Sequence, residues 1–179
     1  MDRGNIYVSK KNFKHNLEYL DNLTSKKLCV VVKANAYGHD IGWTVRTAIS
    51  LGVTWFAVAA IDEAILVRNI SDNVRILLLS EPHSTELEKL AIHNIDTTVY
   101  SQKFIDDLGN SRDSFKVHLK IDTGMHRVGC SPDTFDALHT KILSYENLSL
   151  EGICTHFPVA DTDKKQTSQS IEIFKKTIL

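Results

Sequence analysis

The sequence predicts an α/β fold, a (β/α)8 TIM-type barrel that is incomplete in this chain, with about six β/α units. Apolar, β-branched segments alternate with amphipathic stretches, which is typical of a parallel sheet covered by helices. No Gly-x-Gly-x-x-Gly sequence follows the first strand, and polar residues follow several strand ends, which favours a barrel over an open doubly wound sheet. A closed barrel normally needs about 250 residues. We therefore expect the 179-residue chain to be a piece of a longer protein.

The expected elements follow one another from end to end of the chain. Strands are predicted where β-branched and apolar residues cluster, at 28–33, 55–59, 75–79, 96–100, 116–121 and 150–156. Helices are predicted from apolar residues at helical spacing, at 10–22, 41–51, 63–70, 102–108 and after 131. Four start signals support the later helices: Asp62 as a cap, a Thr85-x-x-Glu88 capping box, Ser101, and the pair Ser131-Pro132.

Composition narrows the class of protein. The net charge is −1, which gives no electrostatic footprint for nucleic acid or for an anionic membrane, and no apolar run approaches membrane-spanning length. The three cysteines, Cys29, Cys130 and Cys154, are far apart and form no Cys-x-x-Cys pair, so neither a disulfide framework nor a zinc site is favoured. We expect a soluble, cytoplasmic protein without a metal, nucleic-acid or membrane partner.

Lys33 is the first candidate for chemistry. It ends the β-branched first strand and is followed by the short turn Ala-Asn-Ala-Tyr-Gly. A lysine at the end of a buried strand is costly unless something uses or neutralises it, and burial lowers the pKa of an amine toward the range in which it forms imines. We interpret Lys33 as a Schiff-base lysine for pyridoxal 5'-phosphate (PLP). The alternative is a lysine whose stem packs on the sheet while its ammonium reaches solvent.

A second segment follows the fifth strand. Strand alternation directs Lys120 and Asp122 to the same side, toward the expected barrel interior. Arg127 then lies on a turn bracketed by Gly124 and Gly129, where its guanidinium could bind a carboxylate in a bidentate manner. The alternative is a surface loop in which Asp122 forms a structural ion pair with Lys120 or Arg127.

His156 ends the last apolar strand, where it could hydrogen-bond into a site and orient another side chain. The alternative for this residue is a histidine satisfied within the core.

The three segments together resemble a known family. Val-Val-Lys33-Ala-Asn-Ala-Tyr37-Gly-His, Lys120-Ile-Asp-Thr-Gly-Met-His-Arg127-Val-Gly and Thr-His156-Phe-x-x-Ala-Asp resemble bacterial alanine racemase in order and spacing. The first segment is the most specific, because other PLP-binding barrels carry different residues around the lysine. The resemblance implies that residues 1–179 are the N-terminal part of a fold-type III, PLP-binding barrel domain, with a C-terminal β-domain absent. It also implies interconversion of L- and D-alanine for peptidoglycan precursors, and a homodimer for the full-length protein.

The resemblance assigns a role to each matching residue. Lys33 would hold PLP and exchange the Cα proton on one face of the substrate, and Tyr37 would help hold the phosphate. Arg127 would contact the substrate carboxylate and the phenolic oxygen of PLP. Lys120, carbamylated in many relatives, would fix Arg127. His156 would support an arginine at the pyridine nitrogen.

Two positions depart from the family pattern, and one function is missing. His126 stands where the family more often has Gly or Asn, and Pro158 where it usually has Ala. The second base of the family is a tyrosine on the C-terminal domain, so the isolated chain is expected to be inactive, because racemisation needs proton transfer on both faces of the substrate. The alternatives are a racemase for another small amino acid such as serine, a non-catalytic PLP-binding barrel protein, and an inactive truncated product.

Overall fold

The computed structural model describes residues 6–24 and 26–179 as parts of two compact units, Met1–Leu77 and Leu78–Leu179. The strands are β1 (Val30–Val31), β2 (Trp55–Val58), β3 (Arg75–Leu78), β4 (Asp96–Val99), β5 (Phe115–Lys120) and β6 (Leu148–Cys154). The helical segments are α1 (Lys10–Leu23), α2 (Lys33–Tyr37), α3 (Ile41–Ile49), α4 (Ile61–Arg68), α5 (Leu87–Ile92), α6 (Gln102–Gly109), α7 (Phe135–Leu143) and α8 (Lys164–Ile178), with short 3-10 turns at Ser84–Glu86 and Pro132–Thr134. This alternation confirms the α/β class.

The first unit is built on β1 and β2, which pair in parallel with Val30 opposite Phe56. The backbone of Arg75 donates to the carbonyl of Thr54 at 2.8 Å, which aligns β3 beside β2. Asp40 caps α3, since its carboxylate accepts the Trp43 N–H at 2.7 Å. The core of this unit is formed by fully buried apolar side chains: Val32, Val45, Ala48, Phe56, Val58, Ala64, Val67 and Ile76.

The second unit is built on β4, β5 and β6, which are parallel neighbours. Thr98 lies opposite His118, and Lys120 lies opposite Cys154, so the even-numbered residues of β4, β5 and the end of β6 share one face. The fully buried apolar side chains of this unit are Leu90, Val99, Ile105, Leu108, Val117, Leu119, Ile121 and Ile142.

The first strand is shorter and more exposed than the sequence predicts. Val31 is 37% exposed, whereas Val32 is fully buried and donates to the Ala57 carbonyl at 2.8 Å. β1 is the first strand of the sheet and lies at its edge, so one neighbour fewer covers it. The expectation that Lys33 ends a buried strand is wrong, because Lys33 instead begins α2.

Two predicted helix starts are also wrong. Asp62 lies inside the first turn of α4, and the extended residue Ala60 is the N-cap, with its N–H bound by Glu63 at 3.2 Å. The Thr85-x-x-Glu88 box does not form, because Glu86 reaches back to the N–H of His83 at 3.3 Å. In both places several polar residues lie near the helix start. The residue at which the backbone changes from extended to helical conformation becomes the N-cap.

The other two predicted helix starts are confirmed. Ser101 caps α6 through its hydroxyl, which accepts the Phe104 N–H at 3.2 Å. Ser131 and Pro132 begin the 3-10 turn that leads into α7. All three cysteines are free thiols. Among the residues that the structure describes, no helix is both long and apolar enough to span a membrane.

Candidate active site

Lys33 is half-buried and is followed by a left-handed turn. The next four residues, Ala34–Tyr37, all have φ between 51° and 54°, and the N–H of Gly38 donates to the Ala34 carbonyl at 3.1 Å. This is one turn of left-handed helix, which costs about 1–2 kcal/mol for each residue with a Cβ. Backbone strain of this kind is common at functional sites and persists only where surrounding contacts enforce it.

Side-chain hydrogen bonds connect the turn to neighbouring segments and supply such contacts. The carboxylate of Glu63 accepts the Ala34 N–H at 2.6 Å. The side-chain oxygen of Asn35 accepts the N–H of Ile41 at 2.9 Å, which links the turn to the start of α3. Tyr37 is 60% exposed at the end of the turn, so its hydroxyl is accessible to a ligand.

Lys120 is the last residue of β5 and is only 7% exposed. His118, on the same face of the strand, is 4% exposed, and its Nε2 lies 3.4 Å from the carboxylate of the buried Asp96. Lys120 is therefore buried, as the strand alternation predicts. The face that it shares is polar, which is unusual for buried strands and costly unless the groups are paired.

The loop that carries Arg127 is folded around Asp122. One carboxylate oxygen of Asp122 accepts the N–H groups of Gly124, Met125 and His126 at 2.9, 3.0 and 3.1 Å. Burial alone would raise the pKa of the Asp122 carboxyl, but the N–H donors of Gly124, His126 and Met125 and the nearby His126 ring together hold it below its ordinary value.

The two ends of the loop are held together by backbone contacts between residues 129–130 and residues 120–122. The Asp122 N–H donates to the Cys130 carbonyl at 2.9 Å, and the Cys130 N–H donates to Lys120 at 2.8 Å. Gly129 has a φ of +133°, and a Cβ there would lie 2.6 Å from the Asp122 nitrogen, so only glycine fits. His126 has a φ of +56°, the left-handed region that Gly and Asn adopt most readily, which explains the residue types expected at this position.

His156 lies beyond the end of β6 and is exposed, so the alternative of a core histidine is wrong. It lines a narrow crevice together with Lys120 and Arg127, and Met125 and Val128 contribute to the same walls. The structure thus brings three of the predicted residues together in the second unit. Lys33 and Tyr37 lie in the first unit.

The larger cavities lie elsewhere. A cavity of about 390 Å³ in the first unit is lined by residues that include Lys27 and Thr54, and one of about 290 Å³ in the second unit by residues that include Phe115 and Leu148. These residues precede or begin strands, whereas Lys33 and the Arg127 loop follow strand ends. In barrels, active sites form at the carboxyl ends of the strands, so neither cavity is the candidate site.

Sequence analysis missed two residues that organise these loops. The sequence predicts Glu63 only as part of a helix, although an acidic residue at the start of a helix that follows a strand can accept N–H groups from a neighbouring loop. Ser170 is 1% exposed on α8, and its hydroxyl donates to the Thr123 carbonyl at 2.9 Å, next to the Arg127 loop. A lone buried serine on an otherwise partly apolar helix gives only a weak sequence signal.

Comparison with known proteins identifies relatives. Residues 8–178 match the family model described as alanine racemase, N-terminal domain. An alanine racemase from Treponema denticola is 40% identical over 177 residues, which cover 93% of this chain and 47% of the relative. The chain therefore spans about half the length of the curated relatives that it matches.

Solved structures similar to this chain are also those of amino-acid racemases. A biosynthetic alanine racemase from Pseudomonas aeruginosa matches with a TM-score of 0.88 at 28% identity, covering 96% of this chain and 49% of the other. A histidine racemase from Leuconostoc mesenteroides matches with a TM-score of 0.86 at 26% identity, covering 94% of this chain and 47% of the other. These matches confirm the family resemblance and the α/β, TIM-type fold class predicted from the sequence.

Proposed function

The chain belongs to the family of alanine racemase N-terminal domains, and from this premise we propose that residues 1–179 form the N-terminal, PLP-binding part of an enzyme that interconverts L- and D-alanine. The observation that carries the proposal is Lys33 on its left-handed turn directly after β1. We further propose that the D-alanine supplies peptidoglycan precursors, and that the enzyme acts in the cytoplasm as a homodimer.

The residues present fit PLP by their chemistry. PLP carries an aldehyde and a phosphate, so its site needs a primary amine and hydrogen-bond donors for an anion. Lys33 offers the amine from a half-buried position, and the exposed hydroxyl of Tyr37 can donate to a phosphate oxygen. Arg127 and His156 are exposed N–H donors in the second unit. When bound, PLP withdraws electrons from the Cα–H bond of an amino acid and so weakens that bond.

In this mechanism Lys33 is the acid–base residue on one face of the substrate. Its Nζ accepts the Cα proton from one enantiomer and returns a proton to the same face in the reverse direction. The left-handed turn fixes the backbone that carries this amine, so the proton is transferred over a short and constant path.

Arg127 binds the substrate carboxylate through its planar guanidinium, which suits a bidentate contact. The hydrogen bonds to the Asp122 carboxylate and the close contact of Gly129 with the Asp122 backbone hold the backbone beside Arg127 in place. Lys120, buried at the end of β5, would support Arg127 through a carbamylated side chain. His156 would orient an arginine that lies outside this chain.

Racemisation also needs a proton donor on the opposite face, and family resemblance assigns it to a tyrosine of a C-terminal domain. We therefore propose that residues 1–179 alone hold PLP but do not racemise alanine. Conversion of pure L-alanine to D-alanine by this chain alone would contradict the assignment of the second base.

The experiment that tests the proposal is covalent mapping of PLP. The natural protein is incubated with PLP, reduced with borohydride and analysed by intact and peptide mass spectrometry. We expect one pyridoxyl group on Lys33, none on K33A, and an unchanged label on K103A, because Lys103 is an exposed lysine of α6. A K33A protein that keeps the label would refute the assignment of Lys33.

One observation favours a second candidate function. The structural similarity to a histidine racemase shows that this fold also serves a different amino acid. Turnover of L-alanine, L-serine and L-histidine by the natural protein, followed by chiral chromatography, separates the candidates. D-alanine as the main product supports the first proposal, D-serine or D-histidine supports the second, and no product with a labelled Lys33 supports a non-catalytic PLP-binding protein.

A further inference from the structure

Glu63 is the hydrogen-bonding centre of the loops at the carboxyl ends of β1 and β2. Its Oε1 accepts the N–H of Ala34 at 2.6 Å, while its Oε2 accepts those of Ala59 and Ala60 at 3.0 and 3.2 Å. Glu63 belongs to the first turn of α4, where the partial positive charge of the helix N-terminus also favours a carboxylate. One side chain therefore joins the turn after β1 to the segment after β2.

The Ala34 contact has a direct consequence for Lys33. The peptide plane whose N–H is bound by Glu63 joins Lys33 to Ala34, so the contact fixes the rotation of the backbone that leaves Lys33. Ala34 is also the first of the four residues at positive φ, where the chain turns away from its preferred conformation. A carboxylate that holds this first N–H opposes the return of the turn to a right-handed or extended form.

We propose that Glu63 is a positioning residue for Lys33: its carboxylate sets the direction in which the Lys33 amine is presented to PLP and substrate. This role rests on the proposed function of Lys33. Glutamine cannot replace the carboxylate, because all three contacts are N–H donors and one end of an amide is itself a donor. E63Q must therefore place an NH2 group against either Ala34 or the Ala59–Ala60 pair.

The chain contains a matched control in Glu81. Its carboxylate also accepts three hydrogen bonds, from the N–H groups of Tyr100 and Ser101 and from the Ser101 hydroxyl, each at 2.7 Å. Like Glu63, it is half-buried, lies after a strand and binds N–H groups of a loop that follows another strand, in this case the loop after β4. E81Q thus makes the same Glu→Gln substitution without touching the turn of Lys33, and without a forced donor–donor contact, because the Ser101 hydroxyl can accept from the new NH2 group.

The test compares E63Q, E81Q and the unchanged protein at their natural length. Three quantities are measured: the rate of PLP labelling of Lys33 under borohydride, the rate of acetylation of Lys33 by acetic anhydride relative to the exposed Lys103, and the exchange rates of the Ala34 and Ser101 amide hydrogens. In E63Q we expect PLP labelling to fall about tenfold, because the amine is misdirected. Relative acetylation and Ala34 exchange should rise severalfold. In E81Q the labelling of Lys33, its relative acetylation and Ala34 exchange should all stay close to those of the unchanged protein.

Each outcome decides one claim. Equal loss of labelling in E63Q and E81Q, or no loss in E63Q, would overturn the role of Glu63, because the effect would then be general destabilisation or absent. If the unchanged protein is not labelled on Lys33 at all, the proposed function fails instead. Acetylation and hydrogen exchange still decide the role of Glu63 in that case, and an unchanged Lys33 acetylation rate in E63Q would overturn it.

Discussion

Gly129→Ala should displace the loop that carries Arg127 and destabilise the protein. The new Cβ would lie 2.6 Å from the Asp122 nitrogen and 2.9 Å from the Ile121 carbonyl carbon, both backbone atoms that cannot rotate away. The backbone must therefore separate at the point where Cys130 exchanges two hydrogen bonds with Lys120 and Asp122. A real Cβ essentially never approaches backbone this closely, so the strain must be released by movement of the loop.

Two effects lower the free energy of unfolding of G129A. An alanine at positive φ costs about 1–2 kcal/mol, and each of the two backbone hydrogen bonds contributes about 0.5–1.5 kcal/mol. The free energy of unfolding should therefore fall by about 2–5 kcal/mol. Gly52→Ala is the matched control, since Gly52 has a φ of +87° but nothing within 4 Å of an added Cβ. The free energy of unfolding of G52A should fall only by the cost of alanine at positive φ, about 1–2 kcal/mol.

Urea unfolding followed by circular dichroism measures both variants. With a slope of about 1–3 kcal/mol per molar urea, the difference between them should appear as a midpoint shift of about 1 M. The slope itself should stay unchanged, because both variants fold to the same surface area. Equal midpoints for G129A and G52A would refute the close approach at Asp122 as the reason for glycine.

Two further predictions concern titratable groups. The lowered pKa of Asp122 means that its ionised form stabilises the fold above the ordinary value of 3.8 and that this stability disappears as the pH falls through the folded pKa. D122N should thus be less stable than the unchanged protein at pH 7, and the difference should shrink as the pH falls below 3.8, as measured by thermal unfolding; a pH-independent difference would contradict this. Burial raises the pKa of the Cys130 thiol from 9.0 to about 11, so its protonated form stabilises the fold below pH 9 and this stability is lost toward pH 11. Iodoacetamide at pH 8 should leave Cys130 unmodified until the protein unfolds, and rapid modification of the folded protein would contradict this.

Periodicity was sufficient to predict most of the elements, because burial imposes a local pattern. Four of the six strands begin at or within one residue of the expected position, as at Trp55 and Arg75. The errors fall where several local choices have similar energies. Asp62 and Glu63 are both good residues for a helix start. Glu63 turns back to the N–H groups of Ala59 and Ala60 and also reaches the N–H of Ala34, a contact distant in sequence that no local pattern predicts.

The sequence alone determined the family-specific segments, the alternation that buries Lys120, and the glycines beside Arg127, because each depends on residue type and short spacing. Only the tertiary structure decided that Lys33 begins a left-handed turn rather than ending a strand. Residues with a Cβ avoid this conformation on their own. It is enforced by Glu63, which reaches the turn from the start of the next β/α unit, and a contact between segments 29 residues apart leaves no periodic signal in the sequence.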